Sequence, residues 1–72
     1  MRKIYETMLK EIANDYRIIK NDSRIGGYRI EKDGQLVIGD LQAKDVRLFT
    51  FGIISYVKGI TEIEFNDLVD NA

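Results

Sequence analysis

The 72-residue chain contains no cysteine, no histidine, no tryptophan and no proline. Without cysteine there is no disulfide framework and no thiolate nucleophile. Without histidine as well, the usual Cys/His zinc sites and the side chain that titrates near neutral pH are both gone. Any general acid or base would have to be a carboxylate, lysine or tyrosine displaced by burial, and a chain this short has little interior to supply it. Long apolar runs are missing too. Nothing approaches the ~20 residues that span a bilayer. Arg2 and Lys3 begin like a signal peptide, but Glu6, Lys10 and Glu11 interrupt the apolar stretch that one requires. The expectation is one small cytoplasmic domain over residues 1–72, without membrane contact, cofactor or metal, that is not an enzyme.

The charges that are present nearly cancel: eleven basic against twelve acidic residues, a net charge of −1. Their distribution is uneven. All eleven basic residues and eight of the acidic ones precede Gly59, and the last fourteen residues carry Glu62, Glu64, Asp67 and Asp70 with no base. Such a lopsided field bears on partner choice rather than on fold.

Along the chain, Ile4, Met8 and Ile12 with Tyr5, Leu9 and Ala13 recur every four residues and predict a helix over 2–14. Tyr16 to Lys20 is β-branched and aromatic and reads as a strand. Residues 21–27 (NDSRIGG) form a loop; the Arg24–Gly27 stretch lacks the Gly-Lys-Ser/Thr and the following helix of a phosphate loop. Strands over 28–32 and 35–39 flank Asp33-Gly34, a hairpin signal. A two-residue turn would set Glu31 opposite Leu36. A three-residue loop pairs Ile30 with Leu36 and Tyr28 with Ile38 and keeps the faces cleaner, so the longer loop is expected.

From Asp40 to Lys58, propensity favours strand and periodicity favours helix. Helix is chosen because Val46, Phe49, Ile53, Tyr56, Val57 and Ile60 share one arc, and Gly59 stands where a helix ends. Thr61-Glu62-Ile63-Glu64 is a capping box, with Ile60 and Phe65 at the hydrophobic-staple positions and Phe65, Leu68 and Val69 as an inner stripe. The order α-β-β-β-α-α predicts an α+β fold, with helices packed on one face of a three-stranded antiparallel sheet.

Two surface features bear on function. The wheel places Phe51 among Lys44, Arg47 and Lys58, where an aromatic in a basic patch could stack on a base, anchor an interface or be covered by a neighbouring helix. The acidic end is either a solubilising face or a carboxylate row for an arginine-rich partner; its spacing is not that of an EF-hand. Arg17, Lys20, Arg24, Arg29 and Lys32 give the strands a basic cast, interleaved with Asp22, Glu31 and Asp33.

The element order, together with Leu9-Lys10-Glu11-Ile12 followed by Asp15-Tyr16, and Asp33-Gly34 before Val37-Ile38, resembles small phage-encoded anti-CRISPR proteins that inhibit the type II RNA-guided nuclease. More broadly the chain looks like compact orphan proteins of Gram-positive phages and mobile elements. The resemblance implies an inhibitor that mimics DNA on the nuclease surface that reads the PAM. Asp15, Asp33 and Gly34 would then be contacts, assisted by Glu62, Glu64 and Asp67. The first expectation is therefore a non-catalytic protein-binding module that inhibits a host protein, with a nucleic-acid-binding protein as one candidate host. The alternatives are a small nucleic-acid-binding regulator using the basic strands and the Lys44, Arg47, Phe51, Lys58 patch, or a self-associating homodimer.

Overall fold

A computed structural model describes residues 3–21 and 27–71 of the chain. Arg24 of the basic strand set and most of the glycine-containing loop lie outside the described residues. The order is α1 (Ile4–Ile12), β1 (Tyr16–Lys20), β2 (Tyr28–Lys32), β3 (Gln35–Leu41), α2 (Ala43–Lys58) and α3 (Glu62–Asp70), an α+β arrangement. The strands form one antiparallel sheet in the order β1-β2-β3, and the helices pack on one of its faces.

The hairpin departs from the expected three-residue loop. Lys32 pairs with Gln35 and Glu31 lies directly across from Leu36, so the turn is the two residues Asp33 and Gly34. Both have positive φ, +52° and +82°. That conformation matches the right-handed twist of the flanking strands, and Asp-Gly tolerates it. The mixing of charged and apolar groups that a short turn implies is relieved further along. β3 bulges once between Leu36 and Ile38 and again between Ile38 and Leu41, where Asp40 takes φ +53°. Each bulge adds a residue to one strand and exchanges its faces. Ile30 therefore meets Ile38, and Tyr28 meets Leu41, rather than Leu36 and Ile38 as expected. Leu36 stays on the open sheet face and is 65% exposed.

The core gathers Tyr5, Met8, Leu9 and Ala13 of the first helix, Ile18 and Ile30 of the sheet, Leu41, Val46 and Ile54, and Phe65 and Val69 of α3. Phe65 is its centre. Its ring stacks with Tyr5 at 6.4 Å and tilts against Phe51 at 5.3 Å. The capping box forms as the sequence predicts: Thr61 Oγ1 accepts from the Glu64 amide, and the Glu64 carboxylate accepts from the Thr61 amide. The last turn of α2 closes on left-handed Gly59, whose N–H donates to the Ser55 carbonyl at 2.7 Å.

The inner face of α2 is rotated from the expected arc. Its buried residues are Val46, Thr50 and Ile54, spaced four apart. The rotation follows from α3, which packs on the flank carrying Arg47 and Phe51 and draws that flank inward. Phe49, Tyr56 and Val57, expected inside, are turned to the surface. Leu68, expected in the inner stripe of α3, is 49% exposed.

Candidate functional site

The apolar residues that α2 does not bury border an open concave surface. Phe49, Gly52, Ile53, Tyr56 and Val57 repeat at three- and four-residue spacing and so share one flank of the helix. That flank faces the end of α1 and the start of β1, leaving an open groove of about 500 Å³. Ile12 and Ala13 form its opposite wall, and Asn14, Asp15, Tyr16 and Lys32 close one end. Tyr56 is 91% exposed, an unusual outlay of aromatic surface on a small domain. Apart from its chain neighbours and its own helix backbone, no described atom lies within 4 Å of where a Cβ on Gly52 would stand. Among the described residues no packing explains a glycine in mid-helix, where it costs about 1 kcal/mol relative to alanine.

The polar end of the groove is organised by β1 and β2. Lys32 Nζ lies 3.9 Å from Asp15 Oδ2 and 5.5 Å from the Tyr16 ring centroid. The Asp33 amide donates to the Asp15 carbonyl at 2.9 Å, fixing the hairpin tip against the α1–β1 turn. Asp15, Asp33 and Gly34 therefore line one shallow depression, together with Asn14, Arg17, Ile19 and Glu31. Three of the contact residues implied by the resemblance are thus brought together, and Asp15 also borders the apolar groove.

The acidic residues of α3 do not join them; the depression contains no residue of that helix. Glu62 and Asp67 are exposed. The Glu64 carboxylate is occupied by the Thr61 amide and hydroxyl. Among the described residues, no three acidic side chains are grouped to hold a metal ion.

Of the alternatives for the basic patch on α2, cover by a neighbouring helix is the one found. Phe51 rests half-buried on Phe65. The Arg47 guanidinium lies 5.6 Å from the centroid of the same ring and donates to Asn66 Oδ1. Only Lys44 and Lys58 remain fully in solvent on that side. Within the strands, Arg29 is held by Glu31 at 2.7 Å and donates to Asn21 Oδ1 at 2.9 Å.

The groove is thus suited to burying an apolar side chain, with a charged pair at one end for orientation. The sequence pattern assigned Phe49, Ile53, Tyr56 and Val57 to the core and not to a site, and the groove they border was missed. The available signal was Gly52, set among apolar positions on an arc too wide for one core to cover. No helix among the described residues is long and apolar enough to cross a membrane. No family model matches the chain, and no curated protein or solved structure matches it.

Proposed function

We propose that this chain is a non-catalytic protein-binding module whose groove between α2 and the α1–β1 corner accepts an apolar or aromatic anchor from a partner protein. The observation that carries this reading is Gly52, with open space above it and flanked by Phe49, Ile53 and the almost wholly exposed Tyr56. Binding hot spots are enriched in aromatic residues set in well-packed pockets, and a missing side chain makes room for such a pocket. The Asp15–Lys32 pair at the groove's end supplies direction.

Inhibition of a host protein is the form this binding takes on the anti-CRISPR resemblance. The near-zero net charge favours an apolar mode of engagement over imitation of a DNA backbone. A nucleic-acid regulator is less well supported, because Phe51 is spent on Phe65 and Arg29 on Glu31.

Affinity capture from a bacterial lysate tests the reading with three proteins: the wild type, Gly52→Leu and Tyr56→Asp. A stoichiometric partner held by the wild type and lost by both variants is the expected result. A partner retained equally by all three removes the groove from the account. Light scattering distinguishes the homodimer: a species twice 8.3 kDa that dissociates on Tyr56→Asp makes a second copy the occupant. Addition to a type II nuclease cleavage assay tests the specific target, and unchanged cleavage at excess protein rejects it.

A further inference from the structure

The two edges of the sheet are not equivalent. β3 is broken by two bulges and by Asp40 at positive φ, which disrupts the row of backbone groups on its outer side. β1 pairs with β2 over five consecutive residues without an irregularity, and contains no glycine or proline. Its hydrogen-bond parity can be read from both ends. The Asp15 carbonyl accepts from Asp33, and the Asn21 amide donates to Gly27. In an antiparallel ladder the bonded pairs alternate, so Arg17 and Ile19 carry the bonds to β2. The N–H and C=O groups of Ile18 and Lys20 therefore point outward from the sheet.

A second groove, of about 580 Å³, runs beside this edge, between α1 and β1. Arg17 and Ile19 belong to one sheet face, Tyr16 and Ile18 to the other, yet all four border it. Only a cleft along the strand's edge can touch both faces. Leu9 adds apolar surface from α1. Of the charged residues that border it, Lys10 and Arg17 stand against Glu6; Lys20 lies just beyond at the end of the strand, and Glu31 sits across the ladder from Arg17. Among the described residues none of these three cations is in a salt bridge, the two that form belonging to Arg29 and Lys32.

We infer that β1 is a strand-addition site for an extended acidic segment of a partner protein, apolar at alternate positions and carrying carboxylates between them. Backbone bonds to Ile18 and Lys20 would supply the pairing. Apolar side chains on one face would enter the cleft by Leu9 and Ile18, and carboxylates on the other face would meet Arg17. A second copy fits less well, because it would add its own Arg17 and Lys20 to the same edge. This surface shares Asn14 and Tyr16 with the α2 groove but none of the α2 residues, so each can fail without the other.

The test uses the full chain and a capped peptide alternating valine and glutamate, with its valine–lysine counterpart as control, followed by amide NMR and hydrogen exchange. On saturation the Ile18 and Lys20 amides are expected to exchange about tenfold more slowly or better, while Arg17 and Ile19, already in the ladder, change little. Lys20→Pro removes one outward N–H that β2 does not use and abolishes binding. Should that variant fail to fold, Arg17→Glu with Lys20→Glu weakens binding about tenfold or more. Gly52→Leu binds the peptide as the wild type does. Several results would overturn the inference: no perturbation up to about 1 mM peptide, equal binding of the lysine peptide, or shifts confined to Tyr56 and Val57. Protection of Ile18 that rises with protein concentration alone would replace the acidic partner with a second copy.

Discussion

The backbone amide of Asp33, at the tip of the β2–β3 hairpin, donates to the carbonyl of Asp15, in the turn between α1 and β1, at 2.9 Å. One bond thus joins the hairpin tip to the corner where both surface depressions around Asp15 begin, so the shape of the turn bears on the shape of the site. Gly34 holds φ at +82° with open space around it, so Gly34→Ala would meet no steric neighbour and pay only for backbone strain. The expected loss is about 1 kcal/mol, read as a lower urea midpoint with unchanged slope. Asp33→Asn, at φ +52°, is expected to be close to neutral, since asparagine tolerates the left-handed region. An unaltered midpoint for Gly34→Ala would contradict the two-residue turn.

Thr50 is fully buried on the inner face of α2, and its hydroxyl has no hydrogen-bond partner among the described residues. A buried, unpaired hydroxyl carries its desolvation cost without return. Thr50→Val keeps the shape and removes the polar atom, and is expected to stabilise the fold by about 1 kcal/mol in equilibrium urea unfolding. Destabilisation of similar size would mean that the hydroxyl is satisfied in solution.

The Thr61–Glu64 capping box holds the first turn of the helix that delivers Phe65 to the core. Thr61→Ala is expected to cost about 1 kcal/mol. Glu64→Ala should cost less, and the double variant less than the sum, because each substitution already breaks the reciprocal pair. Additive losses in a double-mutant cycle would show that the two bonds act independently.

Gly52→Ala separates fold from function. A Cβ at this mid-helix position meets nothing within 4 Å, so the substitution is expected to stabilise by about 0.5–1 kcal/mol through helix propensity. Thermal melting should show a higher midpoint. If the groove is a binding site, partner affinity falls in the same variant while stability rises, a pairing that a purely structural glycine would not give.

Element order and type were legible because several local signals agreed: the four-residue recurrence of α1, the Asp33-Gly34 turn, Gly59 and the Thr61–Glu64 box. What was hidden depended on irregularity or on tertiary choice. The hairpin register was misread by treating β3 as regular, whereas its bulges at Val37 and at Gly39-Asp40 correct the facing of Ile38 and Leu41. The Gly-Asp pair was the visible hint. The rotation of α2 was hidden because the apolar arc drawn through Val46, Phe49, Ile53, Tyr56, Val57 and Ile60 does not include the polar Thr50, which the structure buries. Docking of Phe65 on the Arg47–Phe51 flank decides otherwise. For the candidate site, Asp15 and Asp33 were named only through the resemblance, and their meeting required the register of β1 on β2. The apolar groove needed the rotation.

The bulges of β3 also limit how large an assembly this sheet can enter. Edge-to-edge growth into a fibre needs two competent edges on every subunit, one to accept and one to offer. Here one edge is regular and the other interrupted twice. Any strand that joins at β1 therefore ends the sheet's growth on this chain. If β1 accepts a strand, sheet extension through this protein would close after one added strand per copy, which would protect a small domain with an accessible edge from self-templated aggregation.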